Sequence, residues 1–235
     1  MIAPSLISAP RAEAIAVSGH SIFLGTDENH GTVRVYSTSG NLVNAALITG
    51  LQPSFEAPTF GDMAISGHNL FVASWGSDNG LTYQSRVGEY TLSGAPVDAD
   101  LITFRQGIAT ALAVSDSNIY VRNSVSAEEL GLDTIAQYSI SGQLINPKFI
   151  TGVTDPSAIA LSDENIFIGN GAVGSGTVSV YTLGGDQIQP QLANNLGLPS
   201  LAVSGTEAGV PELFSTFWLA LPMLGMFAAG KFARP

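Results

Sequence analysis

The sequence predicts an all-β fold, a β-propeller of four-stranded blades, on three observations. One apolar segment recurs four times, as AEAIAVSGHSIFLG, FGDMAISGHNLFVA, TALAVSDSNIYVRN and SAIALSDENIFIGN, and its apolar-Ser pairs Val17-Ser18, Ile65-Ser66, Val114-Ser115 and Leu161-Ser162 lie 48, 49 and 47 residues apart. Behind each copy comes a second segment (TVRVYSTSG, RVGEYTLSG, TIAQYSISG, TVSVYTLGG) that keeps Tyr36, Tyr90, Tyr138 and Tyr181 in register. A third follows as NAALITGL, DADLITF, PKFITGV and a degraded QLANNLGL. Separate sub-motifs that keep one order in every copy mark a repeat architecture.

Each unit reads as strand A (AIAVS-like), B (SIFLG-like), C (TVRVY-like) and D (ALITG-like). β-Branched and aromatic residues fill these runs, which are apolar on both faces, as strands covered on both sides are. The A–B junctions SGHS, SGHN, SDSN and SDEN hold the small and Asx residues of tight hairpins. The C–D junctions TSGN, LSGA, ISGQ and LGGD place glycine where positive φ is needed. A four-stranded sheet of this length, sandwiched between copies of itself, is a propeller blade. Blades are expected at about 11–58, 59–107, 108–156 and 157–199, with strand A innermost. That register puts Val17, Ile65, Val114 and Leu161 in the core and packs the four tyrosines between blades.

The ends do not pair off. Residues 4–10 (PSLISAP) match a D strand with its exit loop, and residues 199–205 (PSLAVSG) match a fifth strand A. The expectation is an incomplete ring of five or more blades, with the further strands B and C upstream behind a signal peptide; the alternative is a four-bladed protein with a ragged end. MIAPSLISAPRAEAIAVSG has neither a basic n-region nor an apolar h-region and is not itself a signal peptide.

Composition narrows the function classes. The chain has 235 residues, enough for one well-cored domain with or without an appendage. Charged residues make up 11%, with 8 Lys and Arg against 19 Asp and Glu, a net charge of -11. Such a surface lacks the clustered cations that nucleic acid requires. No cysteine is present, which removes disulfides and thiolate metal sites.

The pattern P-x-x-x-[IML]-A-[VIL]-S-[GD]-x-x-[IL]-[FY]-[VIL], followed by a Tyr strand and LITGL, resembles bacterial NHL-type β-propeller repeats over about residues 5 to 204. That resemblance implies a fold and leaves activity open, since propellers host binding modules and enzymes alike.

The C-terminus breaks with this pattern. Leu213–Gly230 is free of charge, and Lys231 and Arg234 follow it. At 1.5 Å per residue these eighteen residues would span about 27 Å as a helix, enough to cross most of a bilayer core. Pro222 within it is tolerated better in lipid than in a soluble helix, and cations on one side only fit a stop-transfer segment. Residues 210–235 resemble the PEP-CTERM and VPDSG-type sorting tails of Gram-negative bacteria. By that resemblance Val210, Pro211 and Glu212 form the sorting motif, Ser215 and Thr216 the Ser-Thr that follows it, and Lys231 and Arg234 the basic flank. The implied partners are the membrane and an exosortase-type processing enzyme, and the implied location is the cell envelope or outer surface. Leu213-Phe214 and the two separated cations depart from the family pattern.

Few residues invite chemistry. His20 and His68 share the A–B turn position that Ser117 and Glu164 hold elsewhere, and His30 sits in the acidic loop TDENHG; all three read as polar surface residues, without metal-ligand spacing. Asp62 is the weak channel candidate. It opens strand A in a slot otherwise held by Ala14, Ala111, Ala158 and Ser200. Lactonase-type propellers gather several Asp, Asn and Glu there around a hard cation, which needs multiple oxygen ligands. One carboxylate among small residues is not that site. No catalytic residue, cofactor or metal is assigned, and no nucleophile elbow, P-loop or zincin motif occurs. The expected function is therefore a non-catalytic binding or extracellular-matrix component, with a propeller hydrolase or lactonase-like enzyme as the alternative. The B–C loops and the channel mouth are where a ligand would bind.

Overall fold

The computed structural model describes residues 7, 12–51, 59–77, 83–104, 107–123, 133–171, 175–196 and 201. Among them sixteen strands form four sheets, each of four antiparallel strands in sequence order. The first holds β1 (Ala12–Ser18), β2 (Ser21–Thr26), β3 (Thr32–Ser37) and β4 (Leu42–Thr49). The second holds β5 (Thr59–Ser66), β6 (Asn69–Ser77), β7 (Tyr83–Thr91) and β8 (Pro96–Phe104). The third holds β9 (Leu112–Val114), β10 (Asn118–Asn123), β11 (Asp133–Ser139) and β12 (Leu144–Val153). The fourth holds β13 (Pro156–Leu161), β14 (Asn165–Asn170), β15 (Gly176–Thr182) and β16 (Gln187–Leu196). This is an all-β propeller of four blades. The chain divides into two compact units, Met1–Thr151 and Gly152–Pro235.

The turns show why the repeat folds alike each time. In all four C–D turns a Ser or Thr hydroxyl accepts from a backbone N–H four residues on: Ser37 from Asn41 at 3.1 Å, Thr91 from Ala95 at 3.1 Å, Ser139 from Gln143 at 3.1 Å and Thr182 from Asp186 at 3.1 Å. The glycine between them is left-handed each time, at φ 85, 88, 78 and 90 for Gly40, Gly94, Gly142 and Gly185. The A–B turns use two solutions. Blades 1 and 2 carry Gly19 and Gly67 at φ 54 and 57. Blades 3 and 4 lack that glycine, and Ser115 and Ser162 instead accept from Asn118 N and Asn165 N, each at 3.0 Å.

Outer strands are blunted by bulges. In β4, β8 and β16 the extra residue nearest the C–D turn is Val43, Val97 or Ile188, all exposed. Just beyond it Asn44 and Asp98 accept from the backbone two residues on. Bulges of this kind twist an edge strand away from stray pairing.

The core of the first unit lies between blades. Phe23, Val33 and Ile48 of blade 1 share one cluster with Phe60, Met63, Leu70 and Tyr90 of blade 2. Phe71, Val87 and Ile102 of blade 2 share the next with Leu112, Ile119 and Tyr138 of blade 3. Tyr90 and Tyr138 thus pack between blades as expected, and Tyr138 meets Phe104 edge-on at 6.1 Å. In the second unit Phe167, Val178 and Val180 form a cluster on which Leu201 packs.

One expectation is corrected. Val17 is not buried but 58% exposed, and Ile65, Val114 and Leu161 are only half-buried. These residues close strand A beside its turn, where water reaches them. The buried position is two residues earlier, at Met63, Leu112 and Ile159.

Residues 210–235, with the expected helix Leu213–Gly230, the sorting motif and the basic flank, lie outside the described residues. So do most of 4–10 and 199–205. Among the described residues no helix is long and apolar enough to cross a membrane.

Candidate functional site

Strand A begins with a bulge at the same place in blades 1, 2 and 4. Its extra residues are Glu13, Gly61 and Ser157, and the next residues, Ala14, Asp62 and Ala158, pair with Gly25, Ala73 and Gly169. In blade 3 the slot is filled by Ala111, fully buried, whose carbonyl accepts from Arg122 N at 3.0 Å. Ser200 is outside the described residues. Asp62 is therefore the one carboxylate among the described members of this slot.

Both of its carboxylate oxygens are occupied by backbone amides. Met63 N donates to Oδ1 at 2.8 Å, and Leu112 N, fifty residues on and in the next blade, donates to Oδ2 at 2.9 Å. Gly61 permits this approach, because a Cβ there would lie 2.3 Å from the Ala109 carbonyl oxygen. Along the same seam Ser85 Oγ accepts from Ala109 N at 3.2 Å and Ser66 Oγ donates to Ser115 O at 3.3 Å. Asp62 is a bracket that ties strand A of blade 2 to strand A of blade 3.

Burial pushes the Asp62 carboxyl up to about 7, against the downward pull of the Leu112 and Met63 amides. An ordinary carboxyl releases its proton near 3.8, so between 3.8 and about 7 the folded protein holds a proton that the unfolded chain gives up. The favourable contribution is complete below the unfolded value and is lost as pH rises through the folded one. Asp62→Asn removes this titration. Wild-type stability is expected to fall by a few kcal/mol relative to Asp62→Asn between those limits, measured by urea unfolding at stepped pH. Parallel curves for the two proteins would contradict it.

The remaining sequence candidates are dispersed. His20 and His68 are exposed in the A–B turns, beyond the far ends of their strands from Asp62. Their carbonyls accept from Thr38 N at 3.0 Å and Leu92 N at 3.3 Å, so these positions join the two turns of a blade. His30 is exposed in the blade 1 B–C loop, where Asn29, His30 and Gly31 are consecutively left-handed at φ 50, 61 and 87. In that loop Asp27 Oδ1 accepts from Phe60 N at 2.8 Å and Glu28 pairs with Arg34. Arg122 pairs with Asp133 at 3.2 Å and donates to Thr110 Oγ1 at 3.3 Å. Among the described residues no three His, Asp or Glu are grouped to hold a metal ion.

Asp27 and Ser85 were not singled out in the sequence, although both hold one blade to the next. Asp27 follows strand B directly, and a polar residue at that strand end, before an acidic loop, was the available signal.

No family model matches the chain, and no curated protein matches it. Solved structures do. The PQQ-bound aldose sugar dehydrogenase of Streptomyces coelicolor aligns with a TM-score of 0.60 at 12% identity, over 94% of this chain and 77% of that one. XC5397, a gluconolactonase of Xanthomonas campestris, aligns at 0.54 and 12% identity, over 79% of this chain and 62% of that one. A thermostable family-43 glycoside hydrolase aligns at 0.54 and 10% identity, over 82% and 79%. What these proteins share with the chain is the propeller fold. Identities this low carry the architecture and not the chemistry of any one site.

Proposed function

We propose that the protein is an exported, envelope-anchored propeller that serves as a non-catalytic binding or extracellular-matrix component, sorted through residues 210–235. One observation carries the non-catalytic part: the single carboxylate in the strand-A slot spends both oxygens on backbone amides, while its described neighbours in that slot are alanines. A hard cation needs several oxygen ligands, and a bracket supplies few. The anchored part rests on the uncharged stretch Leu213–Gly230 with Lys231 and Arg234 behind it, and on the Val210-Pro211-Glu212 motif that precedes it. On this reading the repeats resemble the NHL type, an exosortase-type enzyme processes the tail, and ligands meet the B–C loops.

The second reading is a propeller hydrolase of lactonase type. The raised Asp62 carboxyl favours it, because a group that titrates near 7 suits general acid–base work. The architecture of the aligned sugar-handling enzymes accommodates this reading as readily as the first.

Deleting residues 210–235 tests the anchor. The shortened protein is expected in the culture medium, and the full chain in the membrane fraction. Retention of the shortened protein with membranes would overturn the sorting assignment.

A further inference from the structure

We draw no further inference here: the strongest candidate, the exposed apolar residues Leu42 and Val43, Val97, and Leu144 and Ile145 at the start of the outer strands β4, β8 and β12, carries none because nothing in the structure shows what covers them.

Discussion

Phe71→Ala is expected to destabilise the protein by about 3–5 kcal/mol, the cost of a large aromatic truncated in a core that cannot collapse onto the void. Phe71 lies mid-strand in β6, paired with Ala64 on one side and Glu89 on the other, so the backbone around it is fixed by two ladders. Its ring is 1% exposed, and its cluster includes Ile102, Phe104 and Leu112 of two adjacent blades. The void would therefore open at a blade interface. Val17→Ala is the control: an exposed side chain away from special contacts should change stability by less than about 0.5 kcal/mol. Urea unfolding of both variants checks the pair, and a Phe71→Ala loss under 1 kcal/mol would mean the blades are not packed as described.

Gly142→Ala is the second large effect. Gly142 is left-handed at φ 78, and a Cβ there would lie 2.4 Å from the carbonyl oxygen of Leu101 in the preceding blade. Gly94 repeats the arrangement one blade earlier, at φ 88 and 2.6 Å from the Leu47 oxygen. A backbone oxygen held in a ladder cannot swing aside as a side chain can, so blade 3 must shift from blade 2. Left-handed backbone costs an L-residue roughly 1–2 kcal/mol and overpacking about 1–3 more, which puts Gly142→Ala at about 2–5 kcal/mol. Gly67 separates the two contributions. It is left-handed at φ 57 with nothing within 4 Å of its Cβ position, so Gly67→Ala should show only the backbone share, about 1–2 kcal/mol. Equal losses for the two alanines, read from urea midpoints, would refute the inter-blade contact.

Much of this fold was legible because its devices are local. The C–D turns could be read from Ser or Thr followed by glycine, since the hydroxyl cap and the left-handed residue lie within five positions. Tyr90 and Tyr138 could be read as inter-blade residues because each lies four residues before the glycine of its C–D turn, Gly94 and Gly142, whatever the length of the B–C loop. Val17 was misread for a physical reason. Strands apolar on both faces do not say which face a neighbour covers, and the repeat anchor sits at the strand end, one residue from the turn. Asp62 was visible as a lone carboxylate among alanines, but its role was not. Its second partner is Leu112 N, and no sequence pattern joins positions fifty residues apart through a backbone amide.

Whether Asp62 is a bracket or a ligand is read most directly from its own titration. The carboxyl carbon shift of Asp62, assigned by its loss in Asp62→Asn, can be followed by NMR from acid to alkaline pH with and without millimolar calcium. A bracket held by Met63 N and Leu112 N should titrate near 7 in both conditions, since burial sets its affinity for the proton and, among the described residues, no group of acidic or histidine side chains is placed to share a calcium ion with it. A midpoint that drops in calcium toward the ordinary carboxylate value of 3.8 would show the cation competing with the proton, and would contradict the non-catalytic reading in favour of a metal-dependent hydrolase.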